Sequence, residues 1–173
     1  MRAFVAVETG EDVRQKIAAL EQGLPAGIRQ VEAANLHMTL AFLGEIDETK
    51  AELVKDALEG ISAVPFEVKC RGVGVFPSMS FVRVVWVGAL SEGLRHLHAQ
   101  IGSALEPLGF KKEEFSPHIT IGIPKSRVDL HPFVRAHEDD DFGSFVVDRL
   151  ILKKSTLTPA GPVYENVHVK RLG

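Results

Sequence analysis

Two histidine–threonine pairs are the residues of this chain best suited to chemistry. His37 and Thr39 stand in Asn35-Leu36-His37-Met38-Thr39-Leu40-Ala41-Phe42-Leu43-Gly44-Glu45, and His118 and Thr120 in Ser116-Pro117-His118-Ile119-Thr120-Ile121-Gly122. An imidazole with an ordinary pKa of about 6.5 gives or takes a proton near neutrality, and two of them can do both within one turnover. The reaction that asks for such a pair without a metal is phosphodiester transfer. One ring takes a proton from the attacking oxygen and the other supplies one to the leaving oxygen. Threonine hydroxyls beside them can donate hydrogen bonds to the non-bridging phosphate oxygens, where charge accumulates.

Each tetrad alternates apolar with small or polar residues and reads as a half-buried strand, in which side chains two apart share a face. Met38 and Leu40 then go to the core with His37 and Thr39 opposite; Ile119 and Ile121 do the same for His118 and Thr120. The two histidines are 81 residues apart, and the same offset lays Ala3-Phe4-Val5-Ala6-Val7 over Val84-Val85-Trp86-Val87-Gly88. It also pairs Glu11 with Glu92, Leu20 with Ile101, Leu24 with Leu105, Leu53 with Val134 and Phe66 with Val147. One unit, strand–helix–tetrad strand–helix–strand, occurs twice. The other five of the seven histidines lack this support: His96 and His98 stand two apart on a predicted helix and do not face each other, and His131, His137 and His168 have no repeat partner.

The elements that must position the pairs follow from periodicity and punctuation. Strands are expected over Ala3–Val7, Ile28–Glu32, Phe66–Val75, Phe81–Val87, Phe145–Lys154 and Tyr164–Leu172, and helices over Glu11–Leu24, Glu48–Leu58, Ser91–Leu108 and about Leu130–Ala136. Phe76-Pro77-Ser78-Met79-Ser80 is expected as the turn between the units, and Glu138-Asp139-Asp140-Asp141 as a solvated loop. The expected fold is α+β: a bilobal internal duplication, two mainly antiparallel sheets facing a central cleft, helices on the outer faces. Residues 1–173 form a single domain of two pseudo-symmetric lobes, from units of roughly 1–75 and 81–155 plus a C-terminal strand over 163–172.

Composition narrows the function classes. A net charge of −3 does not suit a protein that coats nucleic acid through bulk electrostatics, so any nucleic-acid partner is held locally. Cys70 is the only cysteine, which excludes an intrachain disulfide or a cysteine-rich zinc module and reads as a buried apolar side chain. The chain shows no signal peptide and no membrane span, and reads as a cytoplasmic protein without a membrane partner. A metallohydrolase is disfavoured by the lack of His-Glu-x-x-His or a Cys pair, and an ATP-dependent ligase or kinase by the lack of a Gly-x-x-x-x-Gly-Lys loop.

The two tetrads, the segment Gly72-Val73-Gly74-Val75-Phe76-Pro77 with Arg83 and Trp86 after it, and the tail Ser155-Thr156-Leu157-Thr158-Pro159-Ala160-Gly161-Pro162-Val163-Tyr164 together resemble the two-histidine phosphoesterases. Within these the chain looks like the LigT-like RNA 2′,3′-cyclic phosphodiesterases, also called 2′-5′ RNA ligases, and the resemblance runs the whole length. It implies hydrolysis of a terminal RNA 2′,3′-cyclic phosphate to a 2′-phosphomonoester with no cofactor and no metal. His37 is then the proton donor to the leaving 3′ oxygen and His118 the proton acceptor from water. The reverse reaction with a 5′-hydroxyl end makes a 2′-5′ linkage. The implied partner is an RNA 3′ end bearing the cyclic phosphate, tRNA fragments among them, met by a monomer.

One position departs from the pattern. The resemblance implies an arginine, usual in that family, just after the second tetrad, where this chain has Ile123; Lys125 and Arg83 are then the candidates, with Thr39 and Thr120, for binding the phosphate. Phe42, Phe76 and Phe115 are candidates for stacking on bases, and Lys69, Arg71, Lys111, Lys112, Lys153 and Lys154 for a groove along the RNA backbone. Because of Ile123, an RNA-end binding module with an impaired or inactive site stands as the alternative to an enzyme.

Overall fold

A computed structural model describes residues 1–173. The chain runs β1 (Arg2–Glu8), α1 (Glu11–Glu21), β2 (Ile28–Gln30), β3 (His37–Glu45), α2 (Glu48–Glu59), β4 (Phe66–Ser78), β5 (Phe81–Leu90), α3 (Glu92–Leu105), β6 (His118–Pro124), α4 (His131–His137), β7 (Asp141–Val147), β8 (Arg149–Thr158) and β9 (Gly161–Arg171). The α+β class with two antiparallel sheets is the observed one. One sheet has the order β3-β1-β8-β9 and the other β2-β6-β5-β4-β7.

Local pattern explains the elements. In β3, Met38 and Leu40 are buried while His37 and Thr39 are half-buried; in β6, Ile119 and Ile121 are buried and His118 and Thr120 half-buried. β1 is buried from Ala3 to Val7 and lies between β3 and β8 in its sheet. Helix α1 buries Val13, Ile17 and Leu20, and α3 buries Leu94, Leu97, Ile101 and Leu105, each at helical spacing. Asp47 caps α2 by accepting from the Lys50 amide at 2.7 Å, and Ser91 caps α3 by accepting from the Leu94 amide at 3.2 Å. Cys70 is buried in the common core, and no helix is long and apolar enough to cross a membrane.

Tertiary pairing departs from the expected strands most at Phe145–Lys154 and at Phe76. The stretch Phe145–Lys154, expected as one strand, is two strands in different sheets. β7 ends where Val147 pairs with Phe66; Asp148 leaves both ladders, its carbonyl accepting from the Leu172 amide at 2.8 Å, and β8 begins beside β1. The expected turn at Phe76 is also strand, since β4 continues to Ser78, where it pairs with Phe81.

The sequence units do not coincide with the sheets. β4, from the first unit, lies between β5 and β7 of the second, and β8, from the second, lies between β1 and β9. Each unit thus completes the other's sheet. The 81-residue offset lays the β4–β5 hairpin over the β8–β9 hairpin as well. The tetrad strands β3 and β6 flank β1 and β5 in their sheets and approach one another across the boundary between the two.

Glu21 at the end of α1 is buried, and burial pushes its carboxyl from an ordinary value near 4.5 to about 7. A carboxyl with a raised folded-state pKa contributes stability that is whole below about pH 4.5 and lost as pH rises through about 7. Glu21→Gln is therefore expected to melt higher than the parent chain at pH 8 and equally at pH 4. A melting difference that does not change with pH would overturn this.

Candidate active site

Each tetrad holds its histidine by the same bond. His37 Nδ1 lies 2.6 Å from the Asn35 carbonyl oxygen, and His118 Nδ1 lies 2.7 Å from that of Ser116. A carbonyl only accepts, so Nδ1 carries the hydrogen in both rings and Nε2 is left to take or give a proton. The chain enters both strands with the same two-residue step, Asn35-Leu36 and Ser116-Pro117, which turns the preceding carbonyl back onto the ring. Thr39 and Thr120 follow on the same face.

The surroundings of the two rings differ. His37 lies opposite Glu8 in the β1–β3 register, with Phe4 at 5.1 Å and Tyr164 edge-on at 5.2 Å between ring centroids. Lys153, buried, donates to Glu8 Oε1 at 3.1 Å and to Asn166 Oδ1 at 2.9 Å, and Arg14 and Arg149 each reach Glu8 Oε2 at 3.8 Å. Burial lowers the His37 pKa, the hydrogen bond to Asn35 raises it, the positive charges of Lys153 and His118 lower it, and Glu8 raises it; the net direction is down. His118 lies opposite Gly88. A Cβ on Gly88 would come within 2.6 Å of the Arg71 carbonyl oxygen, so the strand beside this imidazole is bare. Phe76 stands edge-on to His118 at 5.0 Å and packs on Trp86 at 5.2 Å. Trp86 in turn covers its cross-strand partner Gly74, where any side chain would collide with the indole.

The proposed cations fall in different places. Arg83 is exposed, its guanidinium carbon 5.3 Å from the Phe81 ring centroid. Lys125 follows β6, its amide donating to the Gly27 carbonyl at 2.8 Å. Both line an open groove of about 1030 Å³ together with Ile123. Four of the six basic residues expected along an RNA groove are tied to polar or acidic partners. Lys153 is bonded to Glu8 and Asn166, Arg71 lies 3.9 Å from Asp139, Lys112 3.1 Å from Glu106 and Lys154 3.7 Å from Glu165. Of the stacking candidates, Phe76 reaches His118, Phe115 is stacked on His98 at 4.2 Å, and Phe42 is exposed beside a pocket that also holds Lys111 and Lys112. No three His, Cys, Asp or Glu side chains converge as a metal site would require.

The sequence reading does not single out Glu8 or Arg29, and nothing local marks them. Strand register brings both in. Glu8 comes opposite His37, and Arg29 on β2 comes opposite Ile123 on β6. Gly122 pairs with Val85 while Thr120 pairs with Trp86, so Ile121 is an extra residue in β6, a bulge. Beyond the bulge Ile123, not Gly122, shares the face of Thr120. A Cβ on Gly122 would meet Ile28 and Leu24, which pack against the core.

The family model described as LigT like Phosphoesterase matches this chain twice, over residues 7–86 and 87–164. The chain is 40% identical over 170 residues to an RNA 2′,3′-cyclic phosphodiesterase of Methanocaldococcus jannaschii, covering 95% of this chain and 97% of that one. Among solved structures it is similar to TT0787 of Thermus thermophilus, with a TM-score of 0.88, 28% identity and coverage of 99% and 97%. It is likewise similar to E. coli LigT complexed with 3′-AMP, with a TM-score of 0.82, 25% identity and coverage of 99% and 97%.

Removing the Lys153 charge takes away a neighbouring cation that lowers the His37 pKa and leaves Glu8, which raises it. In Lys153→Met the imidazole of His37 should titrate at higher pH than in the parent chain, read from its ring resonances by NMR. A downward or absent shift would show that Lys153 does not set this charge.

Proposed function

Since the chain belongs to the LigT-like phosphoesterases, we propose that it hydrolyses the 2′,3′-cyclic phosphate at an RNA 3′ end to a 2′-phosphomonoester, with His37 and His118 as its acid and base. The observation that carries this reading is the matched pair of imidazoles, each with Nδ1–H on a carbonyl and Nε2 unengaged.

In the proposed reaction His118 Nε2 takes a proton from water as the water oxygen attacks phosphorus. The bond from phosphorus to the 3′ oxygen breaks, and His37 gives that oxygen its Nε2 proton. The phosphate remains on the 2′ oxygen. Thr39 and Thr120 donate to the non-bridging oxygens as their charge grows. The difference in surroundings supports unlike roles: Glu8 and Lys153 stand by His37, whereas Gly88 leaves the strand beside His118 bare. Neither cofactor nor metal has a step in this scheme. Run backwards with a 5′-hydroxyl RNA end, the same groups make a 2′-5′ linkage.

The RNA-phosphodiesterase names of the relatives and the 3′-AMP bound by E. coli LigT support an RNA 3′ end as the substrate, met by a monomer in the cytoplasm, with tRNA fragments among the ends it would find. A second reading, binding of the end without turnover, is favoured only by Ile123, which stands where an arginine is expected.

An RNA oligonucleotide ending in 2′,3′-cyclic phosphate, incubated in the presence of a chelator, is expected to yield the 2′-phosphate. His37→Ala and His118→Ala should each lose about 10²–10⁴ in rate. A 3′-phosphate product would overturn the choice of leaving oxygen. Binding without turnover would favour the second reading, and activity surviving in both variants would overturn the mechanism.

A further inference from the structure

A bound phosphodiester is an anion, and the two histidines and two threonines supply no fixed positive charge to hold it. We propose that Arg29 supplies that charge, its guanidinium holding a non-bridging oxygen of the phosphate between the tetrads; this rests on the function proposed above.

Several observations converge on Arg29. Strand β2 pairs with β6 so that Arg29 stands opposite Ile123, and directly opposed residues of an antiparallel pair share a face. The bulge at Ile121 puts that face on the side of His118 and Thr120. The alternate residues of β2 go the other way: Ile28 packs against the core, and Gln30 donates to the Glu21 carbonyl of α1 at 2.8 Å.

Arg29 also reaches the other sheet. A Cβ built on Gly161, the first residue of β9, would lie 2.9 Å from Arg29 Nη1. Its charge acts on the Tyr164 hydroxyl, lowering a pKa that burial raises. Tyr164 is the residue whose ring meets His37. The guanidinium is therefore carried from the strand beside His118 toward the aromatic that packs on His37.

Finally, Arg29 is half-buried and unpaired. The arginines held by carboxylates are Arg14, Arg71 and Arg149, and Arg29 is not among them. A half-buried cation without a counter-ion, on the face that β6 gives to His118 and Thr120, is suited to an anion from outside. The other cations are less well placed. Lys153 is bonded to Glu8 and Asn166, and Arg83 is turned onto Phe81. Lys125 is the rival, with Ile123 in the same groove.

The test uses two readouts. Turnover of the cyclic-phosphate oligonucleotide is compared in the parent chain, Arg29→Ala, Arg29→Lys, Lys125→Ala and the double variant Arg29→Ala with Ile123→Arg. Arg29→Ala should lose about 10²-fold in kcat/KM. Arg29→Lys should recover only part of this, because an ammonium lacks the two-pronged donor. The double variant, which returns a guanidinium to the same face one strand away, should recover more than Arg29→Ala alone. Separately, inorganic phosphate is titrated against the imidazole NMR resonances of the parent chain and Arg29→Ala, where the affinity should fall at least tenfold. An unchanged phosphate affinity, or a large loss in Lys125→Ala with Arg29→Ala near the parent, overturns the proposal. A parent chain that binds phosphate through Arg29 yet does not turn over would uphold the role of Arg29 and defeat the proposed hydrolysis instead.

Discussion

Strand β8 lies against β1, and β4 against β5, so neither half of the chain contains the strands that complete its own sheet. Arg2 to Ala6 pair with Ser155 to Ile151, close to the two ends of the chain. That constraint welds the duplication into one body with one contiguous core. It also pins β1 and β5 on both edges, and these strands carry the tetrad strands β3 and β6. A slip of one residue in either ladder would turn a histidine from the cleft into the core. The position of both imidazoles therefore depends on pairings made far along the chain.

Within that frame the site is symmetric in its hydrogen bonds and asymmetric in its charges. The same step of backbone fixes the same tautomer in both rings. Around them, Glu8 and Lys153 stand by His37, whereas Gly88 leaves the strand beside His118 bare. Two copies of one unit can thus do unlike work: the backbone geometry is duplicated while the neighbouring side chains have diverged. Electrostatics follows the same local rule. With a net charge of −3, and with several basic side chains tied to carboxylates, an anion would be held through a few placed groups and not through bulk charge.

Much of this was legible in the residues. Alternation placed Met38, Leu40, Ile119 and Ile121 in the core and the histidines and threonines opposite, because side-chain direction in a strand has a period of two. The stripe of Leu94, Leu97, Ile101 and Leu105 announced α3 for the analogous reason. The break at Asp148 was not legible, because Phe145 to Lys154 is a continuous strand-like pattern and only the two destinations of its halves divide it. Nor was the bulge at Ile121: the run Ile119-Thr120-Ile121-Gly122-Ile123 alternates evenly, and the extra residue exists only relative to β5.

By itself, then, the sequence determined the local chemistry: where most strands and helices lie, which of their faces are apolar, and which side chains can move protons, since each of these is written in neighbours a few residues apart. Only the tertiary structure decided the exchange of β4 and β8, the unequal surroundings of His37 and His118, and the placing of Glu8 and Arg29. Those depend on register between strands distant in the chain, where a single unpaired residue changes which face every later side chain occupies.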